Sequence, residues 1–522
     1  MKRTILKVVA VLLALAVVFP AFAGGAKEPV KQSGPVTIDL WYGAAVTEAG
    51  APPADWFVIQ EVKEKLNIDL KVTALPSSPT DQDVKINAAG AGNSLPDLFM
   101  VQRPILLKLI DQGLVAEVDS MYAMMPERTK THYDAASIQH TTVDGHSYGL
   151  ADPGAISGNE GVLIRKDWLD KLGLSVPKTT DDFMKVMKAF TYNDPDGNGK
   201  NDTYGFGAFL EINTLEGGLG RRLEPIMGAF GVSGTWSMNK KTAGLNVLRP
   251  EYFEALSYVK AMCDEGVIDP NWLAYKKDDF RAAWKQGRFG IMREQNAAFA
   301  AQNNYKPFDD NFPNGEWIVI DPPVGPKGDS AVGPRDQGYR IYAVSQKAAD
   351  AGKLPAIASL LEWMATDGFY KLGWGVEGVN FVLDADGIPV VDGIAKENQW
   401  SEGNNITLTQ LRNMVFVNSD IELAARYPTY VCSNSGKTMS ALTVLREMQA
   451  KDWVTCTGGG AMPTPNADLK RFWEQGVLEF LTGKRSLTKA NWDAWVAEFK
   501  AMGGEDWNNA GLEYAKANAL LY

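Results

Sequence analysis

The sequence predicts an α/β protein with at least two lobes. Strand patterns at residues 36–41, 68–72 and 96–101 alternate with helical patterns at 56–66 and 83–91. Strands and helices in strict alternation are typical of a parallel sheet with crossover helices. The chain has 522 residues, a length too great for a single hydrophobic core, and 45% of its residues are hydrophobic. We therefore expect two lobes.

The first 23 residues have the features of a signal peptide. Lys2, Arg3 and Lys7 precede or begin an apolar run that ends in the small-x-small pattern of residues 21–23. A membrane anchor is the alternative, but Pro20 interrupts the run, which is short for a span of about 20 residues. No cysteine follows the cleavage site that could carry a lipid anchor. We expect export, cleavage after residue 23 and a periplasmic or secreted protein without a lipid anchor.

The charge of the chain disfavours nucleic acid as a partner. The formal net charge is -11, and removal of residues 1–23, with three basic and no acidic side chains, changes it to -14. Phosphate binding needs a basic surface, so we expect no nucleic-acid partner. The mature protein is expected to be a monomer.

A second α/β unit follows the first. Residues 161–164 form a strand pattern, Thr179 and Asp182 form a capping-box start for a helix that runs to about Phe190, and 289–292 is another strand. Proline, glycine and aspartate are concentrated between residues 303 and 338, as in a segment that crosses between lobes.

These patterns predict the division into lobes. We expect lobe 1 to contain residues 24–152 and about 325–375, and lobe 2 to contain 153–324 and about 376–522. The glycine-flanked segment from Trp374 to Gly378 is expected to be the third crossing.

Candidate ligand-binding residues lie at strand ends and in glycine-rich loops. Open parallel sheets bind ligands beyond the carboxyl ends of their strands. The chain contains 15 tryptophans, and flat aromatic rings stack on the apolar faces of sugars. For the three tryptophans among the candidates the protein core is the alternative location, and for Glu377 it is a surface position. The candidates are Trp41, Tyr42, Gln102, Tyr148, Trp236, Arg293, Trp374 and Glu377.

Residues 194–202 have the oxygen spacing of a calcium-binding loop. If Asp194 is position one, side-chain oxygens fall at positions one, three, five and nine, and a glycine at position six allows the tight turn. Position twelve is Gly205, where a bidentate glutamate is usual. An ion-free turn is the alternative. The expected ligands are Asp194, Asp196, Asn198, the Lys200 carbonyl and Asp202.

The three cysteines and three histidines predict neither a disulfide framework nor a zinc site. The cysteines are Cys263, Cys432 and Cys456, and pairing of the last two remains open.

Several short motifs, in order along nearly the whole mature chain, resemble family 1 extracellular solute-binding proteins of carbohydrate ABC importers. The resemblance is to alginate-oligosaccharide-binding and LipO-type proteins in particular. The motifs are residues 96–99, 165–173, 176–179, 194–199, 264–270, 375–378 and 478–483.

The resemblance implies a two-lobed periplasmic-binding-protein-like (type II) fold with crossing hinge segments. It also implies capture of a carbohydrate, expected to be an oligosaccharide, and its delivery to an ABC transporter permease. Structural calcium is implied at residues 194–203, where Thr203 stands in place of the carboxylate that follows the ninth position in similar proteins.

Two other functions remain open at this point. One is a secreted glycan-active enzyme that resembles a glycoside hydrolase, and the other is a glycan-sensing protein without a transporter. Glycoside hydrolases use paired carboxylates, but no distinctive local pair or other catalytic motif occurs in this sequence. We therefore expect no enzymatic activity. The identity and size of the ligand are left open.

Overall fold

The computed structural model describes most of the chain. The described residues are 34–43, 52, 55–76, 79–133, 135–151, 158–210, 218–333, 341–399, 411, 414–415, 419–451, 462–517 and 520–521. The expected signal peptide and Cys456 lie outside these residues.

The first sheet has five strands. In spatial order they are Ile68–Leu75, Val36–Gly43, Leu98–Val101, Ile341–Val344 and Leu150–Ala151. The first three are parallel, as the alternation of strands and helices predicted. The fourth, from a distant part of the sequence, runs antiparallel to both of its neighbours.

Burial in the first sheet follows the sequence pattern. In Val36–Gly43 the alternate side chains of Ile38, Leu40 and Tyr42 are fully buried. All four residues of Leu98–Val101 are buried, as expected for a strand in the middle of a sheet covered on both faces. The accompanying helices are Phe57–Leu66, Pro79–Ala91, Arg103–Asp111, Asp119–Tyr122, Pro126–His132, Ala135–Thr141, Gln346–Asp350, Leu354–Ala365, Phe369–Trp374 and Asp420–Arg426.

The second sheet has four strands. In spatial order they are Trp317–Ile320, Glu160–Arg165, Phe289–Gln295 and Tyr204–Phe206. Glu160–Arg165 is antiparallel to both of its neighbours, and Phe289–Gln295 is parallel to Tyr204–Phe206. In each sheet, therefore, the antiparallel strand is the first one that the chain forms after it leaves the other sheet. This strand is Ile341–Val344 in the first sheet and Glu160–Arg165 in the second.

The helices around the second sheet include the predicted helix that begins after Thr179. The Thr179 hydroxyl accepts a hydrogen bond from the Asp182 amide, and the Asp182 carboxylate accepts one from the Thr179 amide. The predicted capping box is confirmed. These helices are Lys166–Leu172, Thr180–Tyr192, Glu224–Gly228, Pro250–Asp264, Lys277–Lys285, Asn296–Ala300, Gln302–Asn311, Ala441–Gln449, Ala467–Leu481, Lys489–Phe499 and Glu505–Ala517.

The described residues place three passages of the chain between the parts of the molecule built on these sheets. The first passage lies between Ala151 and Glu160, and the second between Gly333 and Ile341. The third follows Ala425, which packs in the core of the first sheet. Beyond it the Tyr430 hydroxyl donates to the Ala300 carbonyl at 2.8 Å, in the part that contains the second sheet.

The segment from residue 376 to 426 differs from the expected division, because its apolar side chains join the core of the first sheet. Arg128 donates a hydrogen bond to the Met414 carbonyl at 2.8 Å, which ties this segment to the first sheet's helices. The glycines at 375 and 378, read as a crossing, adopt positive φ angles of 91° and 78°. They form a turn that returns the chain to the same core at Phe381.

No helix within the described residues combines the length and the apolar character needed to span a membrane.

Candidate functional site

The carboxyl ends of the parallel strands lie beside the passages between the two sheets. In the first sheet Val36–Gly43 and Leu98–Val101 end there, and Leu150–Ala151 leads directly into the first passage. In the second sheet Phe289–Gln295 ends opposite Glu160, the first residue after that passage. Because ligands bind beyond the carboxyl ends of such strands, these two edges form the candidate site.

At the second sheet's edge, Glu160 forms an ion pair with Arg293. The Arg293 Nη2 and Glu160 Oε2 atoms are 2.5 Å apart, and Arg293 Nη1 donates to the Arg221 carbonyl at 2.7 Å. Burial raises the pKa of Glu160, but the nearby arginines, Arg293 first among them, outweigh that effect and hold it at about 2. The carboxylate is therefore ionised at neutral pH.

Arg222 forms the other half of this charged cluster. Its Nη2 donates to Glu294 Oε1 at 2.8 Å, and Arg281 Nε donates to Glu294 Oε2 at 3.1 Å. The Arg222 guanidinium also lies 5.4 Å from the ring centroid of Phe209 and 5.1 Å from that of Phe280. These rings and carboxylates hold the guanidinium in one orientation.

Glu224 lies against the second passage between the sheets. Its Oε2 accepts hydrogen bonds from the Ser233 hydroxyl and the Gly234 amide. A Cβ atom on Gly333, at the start of the passage, would lie 2.8 Å from Glu224 Cβ and 3.1 Å from Arg293 Nη2. Burial raises the pKa of Glu224 to about 7, against the lowering effect of its hydrogen bonds and Arg293. This carboxyl group therefore gains or loses a proton near neutral pH.

At the carboxyl edge of the first sheet the structure places one polar candidate, Gln102, beside Arg103. Gln102 is partly buried, directly after a parallel strand, and its carbonyl caps the helix Arg103–Asp111. Arg103 donates to the His140 carbonyl. The candidate Tyr148 instead lies at the opposite, amino edge of this sheet. It precedes Leu150, which pairs with Tyr342, and its hydroxyl donates at 3.3 Å to Glu117 Oε1, next to the Ala116 amide that donates to the Val344 carbonyl.

The C-terminal helix Glu505–Ala517 packs in the second core. Burial raises the pKa of its Tyr514, and the Arg103 guanidinium of the first part opposes that effect, so the two side chains are close enough to interact electrostatically.

Trp41 and Tyr42, at the end of the first strand, point in opposite directions. The Tyr42 side chain is fully buried in the core, which corrects its assignment as a ligand contact. Trp41 is partly buried, and the Lys85 ammonium group lies 4.7 Å from its ring centroid. Only the Trp41 ring retains an exposed surface.

Two other candidate tryptophans are core residues. Trp236 is 2% exposed and packs edge-on against Trp507, with ring centroids 5.3 Å apart. Trp374 is fully buried beside Phe369 and Tyr370. Neither ring has a face free for a sugar, so both assignments are corrected.

Glu377 and Arg293 also differ from what the sequence indicated. Glu377 is exposed in the turn that precedes Phe381, and no passage between the sheets lies there. Arg293 is at the expected edge but is buried and paired with Glu160. It positions its neighbours and does not itself present an open face to a ligand.

Sequence reasoning missed most of the charged cluster. Glu160 and Glu294 are each the polar residue at the end of an apolar strand pattern, which is the signal that could have identified them. Arg221, Arg222 and Glu224 lie in a glycine-rich stretch without a motif.

A second polar group was also missed. Glu117, Asp119 and His146 place three possible metal-ligand atoms within 4.8 Å of one another on the surface of the first part.

The loop at residues 194–203 adopts a tight form around Asp194. One oxygen of its carboxylate accepts from the amides of Gly197 and Asn198, each at 3.0 Å, and the other from the Gly199 amide at 3.1 Å. Lys200 N donates to Asn198 Oδ1 at 2.7 Å. Asp194 itself has a positive φ of 46°.

The carboxylates of Asp196 and Asp202 converge on one amide group. Asn198 Nδ2 donates to Asp196 Oδ2 at 2.8 Å and to Asp202 Oδ1 at 3.1 Å. Burial, followed by the neighbouring Asp194, raises the pKa of Asp196. The set of carboxylate, amide and carbonyl oxygens suits a calcium ion. Rotation of the Asn198 amide would present its oxygen in place of its nitrogen.

Thr203 fastens the loop to the preceding helix. Its side chain is buried, and its hydroxyl donates to the Phe190 carbonyl at 2.8 Å, near the end of that helix. This bond leaves the oxygen lone pairs unused, so the expected role of Thr203 as a metal ligand stays a prediction.

The comparison with known families agrees with this architecture. The model of the family described as bacterial extracellular solute-binding protein matches residues 45–371. The chain belongs to this family. The recognition made from the ordered motifs is confirmed.

Among curated proteins, this solute-binding protein is similar to two with named ligands. It is 26% identical over 343 residues to the polygalacturonan/rhamnogalacturonan-binding protein YtcQ of Bacillus subtilis, which covers 63% of this chain and 64% of YtcQ. It is 28% identical over 257 residues to the fructooligosaccharide ABC transporter substrate-binding protein FusA of Streptococcus pneumoniae, covering 45% of this chain and 43% of FusA. The matched region thus spans less than two thirds of these relatives.

Solved structures share the whole fold. FusA in complex with kestose has a TM-score of 0.66 at 18% identity and covers 92% of this chain and 99% of FusA. The alginate-binding protein AlgQ2, solved without calcium ion, has a TM-score of 0.66 at 15% identity, covering 92% of this chain and 98% of AlgQ2. The two-lobed periplasmic-binding-protein-like fold predicted from the sequence is therefore confirmed.

Proposed function

We propose that this solute-binding protein captures a carbohydrate between its two lobes and delivers it to the permease of an ABC importer. The observation that carries the proposal is the meeting of both sheets' carboxyl edges at the passages between the lobes. Lobes that close about such passages couple ligand binding to docking on a partner. The named relatives support a carbohydrate ligand.

The lobes are proposed with revised boundaries. Lobe 1 comprises residues up to 151 and from 341 to about 426, and lobe 2 comprises residues 158–333 and those from about 430 onward. The membership of the apolar side chains in separate cores supports this division.

Export and processing belong to the same proposal. The mature protein begins at Gly24 and acts as a monomer outside the cytoplasm. N-terminal sequencing of the exported protein tests the processing, and a retained segment before residue 24 would contradict it.

Two of the candidate residues remain as proposed ligand contacts on lobe 1. Trp41 offers part of an aromatic face, and Gln102 offers a hydrogen-bonding group beside the strand ends. An aromatic face with converging polar groups is the usual composition of a sugar site. Lobe 2 contributes the charged edge that contains Glu160.

We further propose that residues 194–202 bind calcium in a structural role. The wrap of oxygens around Asp194 and the convergence of Asp196 and Asp202 support this proposal. Solved relatives include a FusA EF-hand mutant and AlgQ2 without calcium ion. The loop directly precedes Tyr204–Phe206 and so lies at the amino end of that strand, opposite the carboxyl edge, which agrees with a structural function.

Binding and turnover are measured together to test the function. A glycan panel is titrated by calorimetry and tryptophan fluorescence, and each mixture is then analysed for products by mass spectrometry. Saturable binding without cleavage is expected. Cleavage products would establish the enzyme alternative, and absence of binding across the panel would contradict the carbohydrate assignment.

Matched variants at the two ends of one helix locate the site. Gln102 lies at the N-terminal end of Arg103–Asp111, at the carboxyl edge, and Gln112 lies at the other end. Gln102→Ala should weaken binding about three- to tenfold, the usual effect of one hydrogen bond. Gln112→Ala should leave it unchanged. Equal effects would remove the first sheet's edge from the site.

A further inference from the structure

An open cavity of about 530 Å³ on lobe 2 is lined mainly by positive side chains. It lies between the turn of the hairpin formed by Trp236–Ser237 and Gly244–Leu245, the start of the helix Pro250–Asp264, and the C-terminal helix Glu505–Ala517. Among the described residues that line it, the charged ones are Lys240, Lys241, Arg249, Lys516 and Glu251. Four basic groups and one acidic group leave a surplus of three positive charges, in a chain whose net charge is -11.

The acidic residue of the cavity already has partners other than the lysines. Glu251 Oε2 lies 3.6 Å from Arg249 Nη2, and Glu251 Oε1 lies 3.4 Å from the Lys327 ammonium group. Within the described residues, the ammonium groups of Lys240, Lys241 and Lys516 take part in no ion pair or hydrogen bond. The surplus charge of the cavity is therefore the charge of these three lysines.

Hydrogen bonds hold the cavity in shape. In the hairpin turn the Lys241 amide donates to Asn239 Oδ1 at 2.9 Å. The hairpin is attached to the C-terminal helix, because the Leu245 amide donates to Asn508 Oδ1 at 2.9 Å. Two walls of the cavity are thus fixed relative to one another, and a ligand that binds there loses little free energy in ordering the protein.

The cavity lies on the face of the C-terminal helix that points away from lobe 1. Leu512 and Lys516, which line the cavity, are four residues apart and therefore share one face of this helix. Tyr514, which interacts electrostatically with Arg103 of lobe 1, lies on the opposite face. A molecule in the cavity is therefore separate from a ligand held between the lobes.

We propose that this cavity binds a phosphate group carried by an organic molecule. Lysine ammonium groups bind phosphate as point charges, and a phosphate monoester has a charge of about -1.5 to -2 at pH 7, which would neutralise much of the surplus. A carboxylate supplies only one negative charge, and a neutral glycan supplies none. Pro250, Leu512 and Leu521 also line the cavity and provide an apolar surface for the organic part of the ligand.

Soluble phosphates and phospholipid headgroups both carry this chemistry, so the experiment uses both. The full mature chain is titrated by calorimetry in calcium-free buffer with inorganic phosphate, with phenyl phosphate and with phenol as the neutral counterpart. Co-sedimentation with phosphatidylglycerol vesicles is compared with co-sedimentation with phosphatidylcholine vesicles. At least one anionic probe should bind about tenfold or more tightly than its neutral counterpart, and its affinity should fall as sodium chloride is added.

Matched variants locate the site. Lys241→Gln combined with Lys516→Gln removes two of the three unpaired charges and should weaken binding of the phosphate probe about tenfold or more, because one to two charge-assisted hydrogen bonds are lost. Lys63→Gln combined with Lys347→Gln makes the same change of charge at exposed positions of lobe 1 and should leave binding unchanged. Thermal melting confirms that both double variants are folded.

The outcomes separate the source of the phosphate from the site itself. Binding of phenyl phosphate that is lost in the Lys241 and Lys516 double variant supports a soluble ligand. Binding to phosphatidylglycerol vesicles alone, lost in the same variant, supports the same site with a phospholipid as the source. If no anionic probe exceeds its neutral counterpart, or if both double variants bind equally well, the proposal is overturned. The glycan titrations are independent of these results, so the proposed carbohydrate function would be unaffected.

Discussion

Glu160 and Arg293 pair across two antiparallel strands at the edge where lobe 2 meets the passages between the lobes. Their closest atoms are 2.5 Å apart, and both side chains are largely removed from solvent. Glu160 is the first described strand residue after the first passage. Arg293 lies close to Gly333 at the start of the second passage, since a Cβ atom on Gly333 would be 3.1 Å from Arg293 Nη2. The pair therefore holds the end of the first passage and the start of the second passage against the second sheet.

Loss of this pair should destabilise lobe 2. Glu160→Gln removes the carboxylate that faces the buried Arg293 and should lower the free energy of unfolding by about 3 kcal/mol. Urea unfolding at pH 7 measures the change. Glu127→Gln removes an exposed carboxylate, which pairs only loosely with Lys130, and should change stability by less than about 1 kcal/mol. Similar small effects of both substitutions would contradict the structural role of the pair.

Glu224 should make stability depend on pH in the opposite direction from Glu160. Its folded pKa of about 7 lies above that of an unfolded glutamate, so its contribution is full below about pH 4 and is lost as the pH rises towards 7. Glu224→Gln has no proton to lose. Relative to the unchanged protein, it should therefore gain on the order of 3 kcal/mol of stability between pH 4 and pH 8. Urea midpoints at the two pH values test this, and a constant difference between the proteins would refute it.

Calcium should stabilise the loop at residues 194–202. Three carboxylates within this loop repel one another, and an ion at 100 times its dissociation constant adds about 2.7 kcal/mol to stability. Chelator should lower the melting temperature, and calcium should restore it better than magnesium. Asp196→Ala should abolish the response, whereas Asp386→Ala, in another exposed turn, should retain it. A melting temperature that chelator does not change would favour the ion-free turn.

Substitution should distinguish Trp41, the proposed ligand contact, from Trp236, a core residue. Trp41→Ala should reduce carbohydrate affinity about tenfold, because a stacking ring contributes roughly 1 kcal/mol or more. Trp236→Ala creates a cavity against Trp507 and should cost about 3–5 kcal/mol of stability without a comparable loss of affinity in the folded protein. Calorimetry and thermal melting of both variants decide the assignment. The reverse result would place the sugar beside Trp236.

The sequence was sufficient where structure follows from local pattern. Alternation predicted Val36–Gly43 and its parallel neighbours, and the Thr179 capping box follows from contacts between residues three apart. Oxygen spacing likewise identified the loop that begins at Asp194, since its contacts lie within the loop.

The pairing of charges at this edge could not be predicted, because strand register brings its members together from distant parts of the chain. Glu160 lies opposite Gln295, and this register places Arg293 beside it. Tryptophan burial also depends on tertiary packing. Trp374 lies in a glycine-containing stretch that resembles a cleft loop, yet the helix Phe369–Trp374 turns its ring into the core. The third passage was misplaced for the same reason. Gly375 and Gly378 indicate a turn, but they do not show which core the chain enters after that turn.

Small-angle X-ray scattering with and without bound carbohydrate tests the central claim most directly. The probe is the glycan from the panel that binds most tightly, at a concentration that saturates the protein by calorimetry. If the ligand binds between the two carboxyl edges, the lobes should close around it and the radius of gyration should decrease. A glycan of the panel that shows no binding by calorimetry should leave the radius unchanged at the same concentration. A radius that stays constant in the unchanged protein at saturation would contradict closure about the three passages.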